Sequence, residues 1–358
     1  MSEIYYLANY KDKIDNAAYK APSDIAAICS KRGYKRFNIE PFPLNRNGLY
    51  QKYWLFTYCT GWWKKLYQLM KPNDILIYQH PLYGVRIAID WINKIKKDKK
   101  CKAVAVIHDL PTLRGQLAGN KGASASTDKK GDVDLLRLFD AVICHNEAMQ
   151  KVLTGYGIDE KKLINLHIFD YLSDEIKSKK PELECSVSVA GNLDYRKSGY
   201  IYKIKDAGNN AGLKVHLYGS NIREGFTEDN MTWHGSYDPS ELPSVLEGSF
   251  GLVWDGNSVD TCSGNTGEYL RYNNPHKVSL YLAAGMPVII WRGAAMADFV
   301  LRKKAGLTVD SLYEIETVIN SLTESEYDEM RENAADLSEL LRKGQFFSDA
   351  LDKALAHI

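Results

Sequence analysis

Several stretches of the chain are near-continuous runs of apolar, β-branched residues that stop at small or polar positions and give way to helical spacing. They are Asp74–Tyr78, Ala103–Ile107, Ala141–Cys144, Ser186–Ala190, Lys214–Leu217, Gly251–Trp254 and Pro287–Trp291. Unbroken runs of this kind predict strands covered on both faces, and therefore parallel sheets. Their alternation with helical patterns predicts doubly wound α/β units. The runs fall into two groups, separated by the polar, lysine-rich stretch Ser173–Glu184. The expected organisation is a first domain over residues 1–172, a second over 173–340, and a final helix over 341–358 that folds back on the first.

One segment breaks the rhythm. Gly115–Gly131 is rich in glycine, serine and lysine with almost nothing to bury, which fits either a surface loop or a lid following a strand end. Ligands of open α/β sheets bind beyond the carboxyl ends of the strands, so the residues just after each run are the first candidates. In the first half these are Gln79, His80, His108, Asp109, His145 and Asn146, with Lys20 and Arg114 assigned to the same side. In the second half they are Gly191, Asn192, Tyr218, Gly219, Asp255 and the pair Arg292-Gly293, with Tyr237 added to the group.

Composition narrows the classes. At 358 residues, with 45% hydrophobic and 25% charged positions, the chain has room for two ordinary cores. A net charge of +1 gives no bulk reason for a nucleic-acid partner. The basic cluster Lys94–Lys100 reads as a solvated helix end, and leaves open peripheral attachment to anionic lipid. No apolar run reaches the roughly 20 residues that span a bilayer, and the N-terminus has no signal-peptide pattern. Six scattered cysteines without a CxxC pair suit reduced thiols in a cytoplasmic protein and argue against a zinc site.

The most informative stretch is Asp255–Trp291. Pro275-His276-Lys277 opens a helix that ends at Ala284-Gly285, and Met286-Pro287 restarts the chain as a strand. The first turn of such a helix offers free N–H groups and a positive dipole end to a pyrophosphate. Lys277 is badly placed for the dipole itself, and a phosphate partner would resolve that conflict. Asn273, Asn274, Pro275 and Ser279 belong to the same candidate donor site.

This pattern, P-x-K-x-x-x-Y-L-A-A-G-x-P-V-I after Gly251–Trp254, resembles the donor-binding motif of GT-B glycosyltransferases. The string Trp254–Lys277 is more narrowly similar to bacterial β-1,6-galactofuranosyltransferases of O-antigen and exopolysaccharide synthesis. So are Ile107-His108-Asp109, Cys144-His145-Asn146, Ile168–Leu172 and Ala190–Leu193, so that the resemblance covers nearly the whole chain. The chain is also similar to soluble glucosyltransferases that elongate glycans on serine-rich adhesins. The resemblance implies an α/β GT-B fold, in which an N-terminal acceptor domain and a C-terminal donor domain, both Rossmann-like, face a central cleft. It implies a UDP-sugar donor, a glycan or lipid-linked glycan acceptor, and Lys277 with helix dipoles in place of a metal at the pyrophosphate, with no cofactor. Homo-oligomer formation stays open. One departure is Leu280, where many GT-B enzymes carry a ribose-binding glutamate before the position of Tyr281; Ser279 or backbone groups would then hold the ribose.

Three features read as decoys. Asp132-Val133-Asp134 spells DxD, but it opens a helix, where aspartates cap free N–H groups. Trp62-Trp63 fits sugar stacking and core packing equally. His167 lies in an apolar run and reads as a packed imidazole. If an α-linked donor gives a β-linked product, the anomeric centre inverts in one displacement and the acceptor hydroxyl needs a base. Asp109 and His108 are the candidates, and Lys277 with Asn273 and Asn274 would offset charge on the departing UDP. The competing readings are a UDP-glucose or UDP-N-acetylglucosamine enzyme and a non-catalytic nucleotide-sugar-binding subunit. An NAD-dependent oxidoreductase would need a GxGxxG turn, which the sequence lacks.

Overall fold

The computed structural model describes residues 2–9, 19–118, 131–174, 182–205, 207, 210–226 and 228–358. The chain divides into two compact units, one running to Leu166 and taking in Phe347–Ile358, the other covering His167–Phe346. The change of unit at Leu166 falls a few residues before the boundary expected at 172. Residues 119–130 of the expected lid and 175–181 of the expected connection lie outside the described residues. Gly115 to Leu117 close a helix, Pro111–Leu117. Among the described residues no helix is long and apolar enough to cross a membrane, and all six thiols are free.

The first unit carries a sheet of β1 (Ile4–Asn9), β2 (Lys35–Ile39), β3 (Ile75–His80), β4 (Lys102–Ile107), β5 (Ala141–Cys144) and β6 (Leu163–Asn165). Their spatial order is β2-β1-β3-β4-β5-β6, and every pairing is parallel. The run Val104–Ile107 is wholly buried, because helices cover both faces of a parallel sheet. Trp63 is fully buried and stacks on Trp62 at 4.5 Å between ring centroids, so the tryptophan pair is core. A last helix, Gln345–His357, belongs to this unit from Phe347 onward, and Asp352 on it pairs with Arg32 at 2.5 Å.

The second unit carries β7 (Ser186–Ala190), β8 (Lys214–Tyr218), β9 (Met231–Trp233), β10 (Phe250–Val253), β11 (Val288–Trp291) and β12 (Gly306–Val309). Their order, β12-β11-β10-β7-β8-β9, is that of a dinucleotide-binding sheet, again all parallel. Tyr281 locks its centre. The buried ring lies so close to β10 that a Cβ on Gly251 would sit 2.0 Å from it, and its hydroxyl accepts the Ala190 N–H at 2.8 Å. His167, expected to be packed, is instead exposed at φ 69°, where the left-handed turn swings its ring out of the apolar run. Its carbonyl accepts a hydrogen bond from the Asn274 amide at 3.2 Å.

Candidate active site

In the second unit the strand order reverses between β7 and β10. Such a switch point opens a crevice beyond the strand ends, where ligands of doubly wound sheets bind. Gly191 and Gly219 follow β7 and β8 with φ of 130° and 136°. A Cβ on Gly219 would fall 1.8 Å from the Gly191 carbonyl oxygen, so the two backbones touch and only glycine fits. A Cβ on Gly191 would meet Lys277 Cε at 3.7 Å, which places the lysine stem directly over the glycine.

The helix His276–Ala283 starts here, with Pro275 at its N-cap and Gly285 just past its end at φ 69°. In its first turn Lys277 donates to Asp255 Oδ1 at 2.8 Å and to the Trp254 carbonyl at 3.1 Å. The two charged side chains are 13% and 11% exposed, so water screens them only in part. Lys277 is unfavourably placed for the helix dipole, and in the structure the Asp255 carboxylate offsets its charge. The result is an ammonium held at the switch point beside bare backbone, an arrangement suited to a phosphate.

Several expected donor contacts are used internally. Tyr218 is buried, donates to the Val245 carbonyl at 3.1 Å and accepts the Glu247 N–H at 3.0 Å. Its ring is a strut under the sheet and not a platform for a ligand. The Ser279 hydroxyl is enclosed and meets no hydrogen-bond partner, so a ribose cannot reach it in this conformation. Asn192 accepts the Asp194 N–H and the Asn221 amide, both at 3.0 Å, and so shapes its own turn. Asn274 is buried against the His167 carbonyl, while Asn273 is only partly buried. Tyr237 is exposed, 6.1 Å from the Tyr218 ring.

In the first unit the order reverses between β1 and β3. A cavity of about 630 Å³ lies at these strand ends, lined among others by Ala8, Gln79, Pro81, His108 and Asp109. Its opposite wall is aromatic: Phe42 stacks on Tyr83 at 4.0 Å and meets Trp54 edge-on at 5.4 Å. Arg36 and Glu40 add charge to the same wall. None of these wall residues was identified from the sequence. The signal was there in the short alternating strand Lys35–Ile39, whose apolar positions are too few to stand out as a run.

Hydrogen bonds set the protonation of the cavity floor. The Gln79 amide donates to the Leu7 carbonyl at 3.1 Å, which turns its oxygen toward His108 Nε2 at 2.8 Å. His108 therefore carries its proton on Nε2, and in the neutral ring Nδ1 is the basic nitrogen. Asp109 accepts the Leu110 N–H at 2.9 Å and pairs with Arg114 at 2.6 Å, both side chains being partly exposed.

The remaining expected cleft residues do not line this cavity. His145 is buried and its Nε2–H donates to the Ile107 carbonyl at 3.0 Å; burial holds its pKa down at about 4, so the ring is neutral and structural. Asn146 caps the helix Glu147–Gly155 by accepting the Met149 N–H. His80 is fully enclosed, 3.9 Å from Asp132, and Lys20 forms a buried pair with Asp24 at 2.5 Å. In the DxD stretch Asp132 accepts the Thr112 N–H at 3.0 Å and Asp134 accepts the Gly131 N–H at 3.3 Å, so both cap helix starts.

Two all-parallel Rossmann-like sheets in one chain, with a lysine at the switch point of the second, are the architecture of the GT-B fold. Comparison with known proteins gives the particular family. The Glucosyltransferase 3-like N-terminal domain matches residues 4–168 and the corresponding C-terminal domain matches 187–354. Over 362 residues the chain is 32% identical to the β-1,6-galactofuranosyltransferase WbbI of Escherichia coli K12, with 98% of each chain covered. It is 28% identical over 288 residues to Glucosyltransferase 3 of Streptococcus gordonii, with 80% of each covered. The solved structure of Anabaena HepE with UDP and glucose has the same fold, at a TM-score of 0.57, 13% identity and 99% coverage of both chains. The chain belongs to the glucosyltransferase 3-like family and is a hexosyltransferase.

Proposed function

We propose that the enzyme transfers galactofuranose from UDP-galactofuranose to a hydroxyl of a growing cell-surface glycan, with inversion to a β-1,6 linkage. The observation that supports this reading best is the end-to-end relationship to the Escherichia coli galactofuranosyltransferase. The donor diphosphate lies at the β7/β10 switch point, where Lys277 exchanges its partnership with Asp255 for the phosphates. Charge that develops on the leaving UDP meets that ammonium and the first N–H groups of the helix His276–Ala283, with no metal required. The acceptor occupies the aromatic-walled cavity of the first unit, since sugars stack on such faces. Asp109, which lines the same cavity, takes the proton of the attacking hydroxyl, while His108 Nδ1 is enclosed and out of a substrate's reach.

A second reading has one specific support. The relationship to Glucosyltransferase 3 favours UDP-glucose as donor. The test is the structure of the product: NMR of the glycan formed from UDP-galactofuranose shows a β-furanosyl residue on a primary hydroxyl if the proposal holds. No transfer from UDP-galactofuranose, or an α-linked product, overturns it.

A further inference from the structure

A cluster of ligand atoms lies in the second unit, on residues that the transfer reaction does not use. His216 sits in the middle of β8, and its Nδ1 lies 3.1 Å from Nε2 of His234, the residue that follows β9. Oε2 of Glu247, in the loop before β10, lies 3.7 Å from the same Nδ1. One nitrogen or oxygen from each of the three lies within 4.8 Å of the others. Two imidazole nitrogens this close must share either one proton or one cation. Metal–nitrogen bonds of about 2.0–2.1 Å at a tetrahedral angle place two such nitrogens roughly 3.3 Å apart, so only a small ring rotation separates the observed pair from a chelating one.

The supporting contacts hold these groups in place. The Tyr218 ring stacks on His234 at 4.6 Å and 5°, and the Tyr218 hydroxyl accepts the Glu247 N–H at 3.0 Å. The Glu247 carbonyl accepts from Ser188 Oγ at 2.5 Å, which pins the same residue from its other side. Gly248 follows at φ 97°, and a Cβ there would lie 3.3 Å from His216 Cδ2, so the loop presses against the imidazole. His216 is half-buried in the middle of its strand, which fixes the direction its imidazole faces. The Glu247 carboxylate is exposed and provides the way in for an ion.

We propose that His216, His234 and Glu247 bind one first-row divalent cation of the zinc class, with water in the remaining position. Two imidazoles and one carboxylate suit zinc, cobalt or nickel better than magnesium or calcium, which prefer all-oxygen sets. The ion ties β8, the residue after β9 and the loop before β10 together. It is a brace for the sheet and takes no part in sugar transfer. The neighbours of His234 carry the effect to a strand end: Gly235 accepts the Gly219 N–H at 2.8 Å, and Trp233 Nε1 donates to the Gly219 carbonyl at 3.0 Å.

The test uses the full-length protein without a polyhistidine tag, stripped with EDTA and titrated with Zn²⁺ by calorimetry. One ion should bind per chain, and His234→Ala and Glu247→Gln should each weaken that binding at least about tenfold. Glu247 is exposed, so its variant keeps the fold, and equal melting temperatures in EDTA confirm it. Co²⁺ should give visible tetrahedral bands with the wild type and lose them with His234→Ala. Absence of Zn²⁺ uptake by the wild type, or wild-type affinity retained in both variants, overturns the proposal and leaves the two histidines sharing a proton.

Discussion

Lys277 and Asp255 form an ion pair 2.8 Å long at the switch point of the second sheet, with both side chains largely withdrawn from solvent. A cation held this way is set in position before any ligand arrives, so binding does not have to order a long side chain. Lys277→Ala should weaken UDP binding by about 2–3 kcal/mol, or roughly 30- to 150-fold, the cost of a lost charge-assisted bond. Calorimetry on the two proteins measures this, and undiminished affinity in the variant removes Lys277 from the donor site.

On the acceptor side the prediction concerns rate. Asp109→Asn preserves shape and most hydrogen bonding but removes basicity, so kcat should fall on the order of 10²–10⁴ with UDP affinity nearly unchanged. Steady-state kinetics with calorimetry in parallel decides it. Normal turnover in the variant removes Asp109 as the base.

His145 makes stability pH-dependent. Its folded pKa, about 4, lies below the ordinary value of 6.5 because burial disfavours the charged ring. The unfolded chain therefore takes up the proton first as pH falls. The stabilisation is complete above pH 6.5 and is lost between 6.5 and 4, up to roughly 3 kcal/mol. His145→Gln keeps a donor for the Ile107 carbonyl and cannot titrate, so its urea-unfolding free energy should fall less over that range. Parallel curves for the two proteins would contradict this.

Much of this architecture is legible in the sequence, for a physical reason. Interior parallel strands such as Ser186–Ala190 and Ala141–Cys144 are buried on both faces, and their composition shows it directly. Edge and near-edge strands do not: Lys35–Ile39 alternates and Met231–Trp233 is three residues long, so neither stands out. At the site, the proline, lysine and glycine of the helix at 275–285 are visible because each has a backbone or charge role at a fixed offset. The internal uses of Tyr218, His145 and Asn146 are not visible, because a polar residue after a strand looks the same whether it faces a ligand or caps a neighbouring helix. The Lys277–Asp255 pair also escapes, since a contact across 22 positions leaves no local pattern.

Chelation separates the donor site from the cluster at His216. With Lys277 and the helix start meeting the diphosphate, initial rates of transfer should persist in excess EDTA. Any metal removed from the His216 cluster should lower the melting temperature and leave the initial rate unchanged. Rates abolished by EDTA and restored by Mn²⁺ would place a metal at the pyrophosphate after all.

The most direct measurement is a comparison of kcat/KM for UDP-galactofuranose, UDP-galactopyranose and UDP-glucose with one glycan acceptor, because that ratio reports differential binding of the transition state. UDP-galactofuranose should be the productive donor and the two pyranosyl donors poor or inert. Efficient turnover of UDP-glucose, with UDP-galactofuranose idle, would contradict the galactofuranosyl assignment and put the enzyme with the glucosyltransferases.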